Sequence, residues 1–172
     1  MNSKLKSLFE LLEEQRSKLL AEMSFLEGEK LNRSKNGKWS ISQIAGHLIT
    51  AEQLSLSYMT KKINAINEVD SSGIWGEIKL NFFIVSQRLP LKYKAPKSLG
   101  DKPKSYTEFR DLRQDWDESR QRLQMFLEKI PADGLKKEIY RHPVMGRCNI
   151  VHALIFFREH IIHHYPQIAR QL

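Results

Sequence analysis

The sequence predicts an all-α protein, specifically a four-helix bundle. Four long segments place apolar residues at spacings of three and four, which is the period of one helix face. No segment shows a convincing strand pattern, and 8 Gly and 6 Pro in 172 residues leave few turns between long elements. Four such patterns without strands are typical of a helical bundle. The length fits one domain that covers residues 1–172 and buries a sizeable core.

The first helix is predicted over residues 3–30. Its apolar positions recur at helical spacing. These positions are Leu5, Leu8, Phe9, Leu12, Leu19, Leu20, Met23 and Leu26. Gly28 and the polar run 32–37 are expected to end the helix.

The second helix is predicted to begin after Ser40 and to run to about Lys62. Ser40 is a favourable N-cap, and Gln43 three positions later completes a capping box. Its inner stripe consists of Ile41, Ile44, Ala45, Leu48, Ala51 and Ser55. His47 lies at the edge of that stripe, so its imidazole is expected to point inward.

The middle of the chain is predicted to cross from the second helix to the third. Residues 63–73 are interpreted as a connection and Ile74 to Arg88 as a short helix. Residues 89–103 hold three prolines and are predicted to be a loop. So long a loop in a compact domain is uncommon and is often functional or a lid.

The third helix is predicted to start at Ser105, where Ser105 and Glu108 resemble a second capping box, and to stop at Pro131. Residues 132–147 are interpreted as a connection.

Asn149 is predicted to cap the last helix, whose heptad-like stripe includes His164. Pro166 is expected to kink or end that helix just after its histidines, because proline removes a helix hydrogen bond.

Charge and composition limit the classes of function and the cellular location that the sequence fits. The net charge of +8 is spread along the chain, with a cluster of lysines between residues 92 and 104. This distribution favours a solvated charged face, or weak attraction of an anionic substrate, over specific nucleic-acid binding. One cysteine excludes an intrachain disulfide and fits a reducing, cytoplasmic location. No signal peptide and no apolar run of about 20 residues is present, so no membrane association is expected.

The last helix carries the residues with the clearest chemistry. His160 and His164 are four apart, so their imidazoles lie one turn apart on the same face and can share one metal ion. A zinc-protease helix of the form H-E-x-x-H uses the same spacing, but Ile161 takes the place of its glutamate. His47 is the candidate for a third ligand. The alternative for each single histidine is a core residue hydrogen-bonded to a neighbour.

The other polar candidates have simpler interpretations. His163 lies about 100° round the helix from His164 and is placed outside the cluster. His142 and His152 are interpreted as loop-turn and helix-start residues, and Cys148 as an inert thiol despite its place near a helix N-terminus. Gln167 is either a residue that orients a ligand such as His164 or a polar residue at the helix end. Glu52 is either a support for the ligands or solvated.

Two motifs resemble the DinB-like superfamily. Trp39-Ser40-Ile41-x-Gln43-Ile44-x-x-His47-Leu48 resembles the start of its second helix. His142-Pro143-x-x-Gly146, followed by His160-x-x-His163-His164-x-x-Gln167-Ile168, resembles its C-terminal motif. The proline-rich middle, Ala95-Pro96 to Pro103, is similar as well, so the resemblance runs from about Trp39 to the end of the chain.

The resemblance implies a fold, a site and an activity. The fold would be an up-down-down-up four-helix bundle, with residues 63–104 as the long crossover between helices two and three. A divalent metal would be bound by His47, His160 and His164, and the protein would be a homodimer. Relatives with known activity use thiols such as bacillithiol, mycothiol or glutathione in transferase or isomerase reactions.

The leading hypothesis is therefore a metal-dependent enzyme, a thiol-dependent S-transferase acting on a small-molecule substrate. One alternative is a metal-binding or partner-binding stress protein without turnover, and another is a metal-dependent hydrolase. Three imidazoles with open positions suit zinc, nickel or iron alike. The sequence assigns no catalytic base and names neither the substrate nor the thiol.

Overall fold

A computed structural model describes residues 1–34, 37–88 and 103–172. Its helices are α1 (Ser3–Met23), α2 (Gly28–Asn32), α3 (Ile41–Lys62), α4 (Ile74–Arg88), α5 (Phe109–Glu128) and α6 (Ile150–Ala169). Short 3-10 helices span Ile63–Glu68 and Ala132–Lys136. Strands β1 (Tyr140–His142) and β2 (Gly146–Cys148) form an antiparallel hairpin. The dominance of helix confirms the all-α prediction.

The four long helices contact one another around the core. Helix α1 packs against α5 and α6, α3 packs against the same two helices, and α4 covers part of α6. The core side chains between them are fully buried, with Trp116, Leu112, Leu12 and Ile49 at no solvent exposure. The up-down-down-up order and the single-domain organisation remain predictions. Within the described ranges, no helix combines the length and hydropathy needed to span a bilayer.

Two predicted helix starts are confirmed by their caps. Ser40 Oγ accepts from the Gln43 backbone N–H at 3.2 Å, and Gln43 Oε1 accepts from the Ser40 N–H at 3.0 Å. Asn149 Oδ1 accepts from the His152 N–H at 2.9 Å. These bonds satisfy backbone donors that no helical carbonyl can reach. They define where the two helices that carry the candidate histidines begin.

The prediction of one helix over 3–30 is wrong, because α1 ends at Met23 and α2 begins at Gly28. Gly28 starts this short helix instead of ending a long one. A Cβ at Gly28 would lie 2.5 Å from the Thr107 carbonyl oxygen. Glycine therefore allows α2 to approach the backbone that leads into α5, and this tertiary contact sets the break.

The predicted start of the third helix at Ser105 is also wrong. Helix α5 begins at Phe109, and its N-cap, Glu108, makes no side-chain capping bond. The preceding backbone is held by α3 instead, since the Tyr106 N–H donates to Ser42 Oγ at 2.6 Å. Asn32 Nδ2 donates to the Tyr106 carbonyl at 2.8 Å. These tertiary bonds outweigh the local capping preference.

Two further predictions about the C-terminal half are corrected. Residues 132–147 contain the β1–β2 hairpin, in which His142 pairs with Gly146 and Gly146 adopts a φ of 75°. Helix α6 does not end at its histidines but continues through Pro166 to Ala169. Ile168 is fully buried and Gln171 donates to the Trp39 carbonyl at 3.1 Å. These contacts hold the last turn after the proline.

The predicted short helix 74–88 coincides with α4. The predicted loop and its lysines at 92, 94, 97 and 102 lie outside the described residues. Of that lysine cluster, Lys104 alone lies within them, and its ammonium group pairs with Asp115.

Candidate metal centre

Three imidazoles from two helices meet on one side of α3. His47 from α3 lies against His160 and His164 from α6, and one ring nitrogen of each lies within 4.8 Å of the others. The His47 and His160 Nε2 atoms are 3.0 Å apart. We call these three residues the histidine cluster. The structure thus brings together the three residues that spacing and resemblance selected.

Aromatic rings enclose the histidine cluster. The Trp39 ring lies 5.1 Å from that of His47, and Phe156 stacks on His160 at 5.1 Å with 20° between the planes. His47 and His164 are buried and His160 is partly buried. Trp39 immediately precedes the capping box of α3, so the same turn that starts the helix also places this ring.

Burial keeps the three imidazoles neutral at pH 7. It lowers the pKa of His47 to about 4 and that of His164 to about 3, and it lowers the pKa of His160 well below the ordinary value of 6.5. Neighbouring histidines lower these pKa values further, because a second positive charge would be repelled. Neutral imidazoles carry the lone pairs that a metal ion requires.

The hydrogen bonds orient these lone pairs. Gln167 Oε1 lies 3.2 Å from His164 Nδ1, so this nitrogen carries the proton and Nε2 keeps a lone pair. A metal-bound histidine is commonly held this way by a bond from its other ring nitrogen. Between the His47 and His160 Nε2 atoms, one nitrogen donates to the other. A divalent ion can replace that proton, since tetrahedral zinc separates two such nitrogens by about 3.3 Å.

The donor set leaves coordination positions open. Within residues 1–34, 37–88 and 103–172, no cysteine or carboxylate joins the three histidines. Three protein ligands with a free position are typical of catalytic sites, whereas structural zinc sites are closed by four. The residues present therefore fit a divalent ion that also binds a water or a small ligand.

Glu52 has neither of its two predicted roles. Its buried carboxylate accepts from Arg120 Nη2 at 2.8 Å and from Ser119 Oγ at 3.3 Å, on the α5 side of α3. It is therefore part of an ion pair and supports no ligand of the histidine cluster. Arg120 lies 68 positions further along the chain, so no local motif indicated this pair.

Cys148 and His163 occupy the places predicted for them. Burial raises the pKa of the Cys148 thiol to about 11 and outweighs any effect of the nearby helix start, so this thiol is unreactive at pH 7. The His163 ring contacts that of His164 at 5.0 Å but contributes no nitrogen to the histidine cluster.

The predicted minor roles of His142 and His152 are incomplete, because both side chains are buried. His152 Nε2 lies 3.0 Å from a Glu77 oxygen and joins α6 to α4. His142 belongs to β1, and its ring lies 4.4 Å from that of Phe156. The motif His142-Pro143-x-x-Gly146 was the available signal for this hairpin, but its spacing alone does not reveal the contact with α6.

Two surface grooves lie elsewhere on the molecule. One runs between α1 and α6 and is lined by residues such as Leu19, Ile161 and Tyr165, and the other surrounds the Lys104–Asp115 pair. Neither groove is lined by a member of the histidine cluster, so the chemistry of the cluster and not the size of a cavity identifies the candidate site.

Comparison with known proteins identifies a family for the chain. The model of one family, described as the DinB superfamily, matches residues 11–168. No curated protein and no solved structure matches the chain. The match covers most of the chain and includes all three members of the histidine cluster.

Proposed function

The chain belongs to the DinB superfamily, and on that premise we propose that it is a metal-dependent enzyme, a thiol-dependent S-transferase. His47, His160 and His164 would hold one divalent ion, zinc, nickel or iron. The observation that carries the proposal is the approach of three neutral ring nitrogens to within 4.8 Å, with no fourth ligand among the residues that the structure describes. Such a site binds an ion and still admits a substrate.

The metal would lower the pKa of a bound low-molecular-weight thiol and so supply a thiolate nucleophile at neutral pH. The side chains have separate tasks. Gln167 keeps the proton of His164 on Nδ1. Trp39 and Phe156 exclude water beside His47 and His160, which strengthens electrostatic interactions at the site. The net charge of +8 favours the approach of an anionic thiol.

We propose an up-down-down-up four-helix bundle as the scaffold. Support comes from the closed cycle of contacts in which α1 meets α6, α6 meets α3, α3 meets α5 and α5 meets α1. In this arrangement the ligands come from two neighbouring helices, α3 and α6, and residues 63–104 provide the crossover between α3 and α5.

Thiol conjugation is the test of the proposed activity. Tag-free protein loaded separately with zinc, nickel or iron is incubated with glutathione or bacillithiol and a chlorodinitrobenzene-type electrophile. We expect conjugation that a chelator abolishes and that His47→Ala lowers at least a hundredfold, whereas His163→Ala retains it. Activity that survives both chelation and His47→Ala would contradict the transferase proposal. Ester hydrolysis without any thiol would favour the hydrolase alternative.

We further propose a homodimer formed through the outer face of α4. This face carries five large apolar side chains that are about half or more exposed: Ile74 80%, Trp75 74%, Ile78 49%, Phe82 77% and Val85 60%. Together they expose on the order of 600 Å². Two copies would then bury roughly 1,200 Å², which reaches the size of a specific interface. A second copy of the chain presents an apolar face of the same area, so we propose it as the partner that covers α4.

Light scattering after size exclusion tests the dimer. We expect the wild-type chain at twice its monomer mass of 20.2 kDa and a Phe82→Glu variant at the monomer mass with unchanged metal content. Phe25→Glu is the matched control, since Phe25 is 89% exposed but lies outside α4. A monomeric wild-type chain, or a Phe82→Glu variant that remains dimeric, would rule out this interface.

A further inference from the structure

The ring of His160 stacks on the ring of Phe156. The two ring centres are 5.1 Å apart, and the ring planes differ by 20°. The other described ring contacts of the histidine cluster are tilted by 50° or more. Gln167 holds His164 in a different way, through a hydrogen bond of 3.2 Å. Among the described contacts of the cluster, the near-parallel stack is therefore particular to His160.

The plane of an imidazole decides whether its lone pair points at a metal ion. The lone pair of Nε2 lies in the ring plane, so rotation of the ring about χ2 turns it away from the ion. This torsion is broad in histidine, so the side chain alone does not fix the plane. The 3.0 Å contact with His47 engages the Nε2 atom of His160 itself, whereas the stack with Phe156 engages the ring face and leaves Nε2 available to an ion.

Phe156 is itself held by rings from three elements of the fold. It is 7% exposed. Its neighbours are His142 of β1 at 4.4 Å, Phe157 of α6 at 5.6 Å, Phe83 of α4 at 5.8 Å and Tyr140 of β1 at 6.3 Å. A side chain packed this closely cannot turn without displacing its neighbours. Phe156 therefore has a fixed plane on which the imidazole stacks.

The hairpin contributes to this packing through His142. The Nδ1 atom of His142 accepts the backbone N–H groups of Val144 and Met145, each at 3.1 Å. These bonds fix the ring that contacts Phe156 from β1. The hairpin motif thus supports the candidate metal centre from behind the Phe156 ring and contributes no atom to the histidine cluster.

We propose that Phe156 is a positioning residue of the candidate metal centre, which sets the ring plane of His160 through the stack. This assignment rests on the metal site of the proposed function. Phe156 gives no ligand atom and acts through His160. Without the stack, the His160 ring would sample other planes, so the site would bind a metal ion more weakly and with altered geometry.

Two neighbouring phenylalanines separate positioning from core packing. Phe156 and Phe157 both belong to α6 and are both buried, so substitution by leucine removes the same ring volume from each. The described ring contacts of Phe157 are with Phe156 and Tyr140, and none is with a histidine. A merely structural Phe156 predicts the same metal binding in Phe156→Leu and Phe157→Leu. Positioning predicts a change in Phe156→Leu alone, and rescue by Phe156→Tyr, which keeps a ring face.

The experiment uses the full-length chain loaded with cobalt(II), whose d–d absorption bands report the coordination geometry. Competition with a chromogenic chelator gives the cobalt affinity, and urea unfolding of the metal-free chain gives the stability. We expect Phe156→Leu to bind cobalt about tenfold more weakly, as for other residues that orient metal ligands, and to shift the d–d bands. Phe157→Leu is expected to keep the wild-type affinity and bands although its urea midpoint falls, and Phe156→Tyr to keep the bands.

Proton NMR of the metal-free chain tests the stack itself. Protons that lie over the face of an aromatic ring shift upfield. The ring signals of His160 are identified by their loss in His160→Ala. We expect them upfield in the wild type and in Phe157→Leu, and closer to ordinary values in Phe156→Leu. Signals that do not move in Phe156→Leu would contradict the stack.

The outcomes distinguish the positioning role from the metal site. If the wild type binds cobalt and Phe156→Leu keeps its affinity and bands, the role of Phe156 is overturned while the metal site stands. If Phe157→Leu weakens cobalt binding as much as Phe156→Leu, loss of packing accounts for both, and the role of Phe156 is again overturned. A wild-type chain that binds no cobalt would contradict the metal site of the proposed function and the role of Phe156 together.

Discussion

Two polar clusters with buried members include residues of helix α3 and differ in the charges of their side chains. The histidine cluster lies between α3 and α6 and consists of neutral rings. The second cluster, which we call the ion-pair cluster, faces α5 and α1. It consists of Glu52, Arg120, Glu13, Arg16 and Asp117. His47 and Glu52 are only five residues apart, but they point to different helices.

The difference lies in what completes each cluster. In the ion-pair cluster, Arg120 bridges Glu52 at 2.8 Å and Glu13 at 3.3 Å, and Arg16 joins Glu13 to Asp117. Opposite charges thus pair within the chain, although the buried Nε and Nη1 atoms of Arg120 have no hydrogen-bond partner among the described residues. The histidine cluster has three neutral groups of one kind, in which a hydrogen bond can join His47 to His160 at 3.0 Å. Opposite charges buried together are typical of a structural role, whereas three neighbouring imidazoles fit a cation-binding site.

The largest expected effect comes from breaking the ion-pair cluster. Arg120→Met leaves the buried Glu52 carboxylate without its cation, and we expect the free energy of unfolding to fall by about 3–5 kcal/mol. Urea unfolding measures this loss. Arg122→Met is the matched control, because Arg122 lies on the exposed side of α5 and pairs with Glu118 at 3.4 Å. A loss below 1 kcal/mol for Arg120→Met would show that the pair is not structural.

We expect acid to lower the stability of the metal-free protein through the histidine cluster. Burial lowers the pKa of His47 to about 4, whereas the unfolded chain keeps a value near 6.5. The unfolded state therefore takes up protons first, and stability is lost as the pH falls from 6.5 towards 4. One histidine with this shift accounts for about 3 kcal/mol.

The Glu52 carboxyl of the ion-pair cluster contributes to the pH dependence of stability with the opposite sign. Burial raises the pKa of the Glu52 carboxyl, although Arg120 opposes the rise, so Glu52 does not add to the acid loss. Urea unfolding with a chelator between pH 4 and 7.5 tests the distinction. We expect a shallower pH dependence in His47→Ala, and an identical slope in both proteins would contradict the assignment to His47.

The smallest expected effect concerns the residue that orients His164. Gln167→Ala removes the acceptor for His164 Nδ1, and we expect about tenfold weaker metal binding with little change in the stability of the metal-free protein. Competition with a chromogenic chelator gives the affinity. Gln114→Ala, an exposed substitution on α5, should leave it unchanged. Equal affinities for the two variants would remove Gln167 from the site.

Local signals in the sequence predicted much of the fold. The capping box at Ser40 and Gln43 and the cap at Asn149 located the starts of α3 and α6, because these motifs act within one turn of helix. The breaks at Gly28 and before Phe109 were not predictable in the same way. They depend on the Thr107 carbonyl and on Ser42, which are distant in sequence and come close only in the folded chain.

At the candidate site, too, the sequence predicted local features but not contacts between distant residues. The spacing of His160 and His164 is a local property of one helix, and the inward position of His47 on another helix made it the third candidate, in agreement with the resemblance. The pairing of Glu52 with Arg120 and the contact of His142 with Phe156 join separate elements. No periodicity encodes such contacts, so these residues were assigned only minor or alternative roles from the sequence.

The metal content of the protein tests the central claim most directly. Tag-free chain is supplied with zinc, nickel and iron in turn, desalted and analysed by mass spectrometry of the elements. The account predicts about one ion per chain for the wild type and for His163→Ala, and none for His47→Ala, His160→Ala or His164→Ala. A wild-type protein that retains no metal, or a His160→Ala variant that retains a full equivalent, would contradict the three-histidine site.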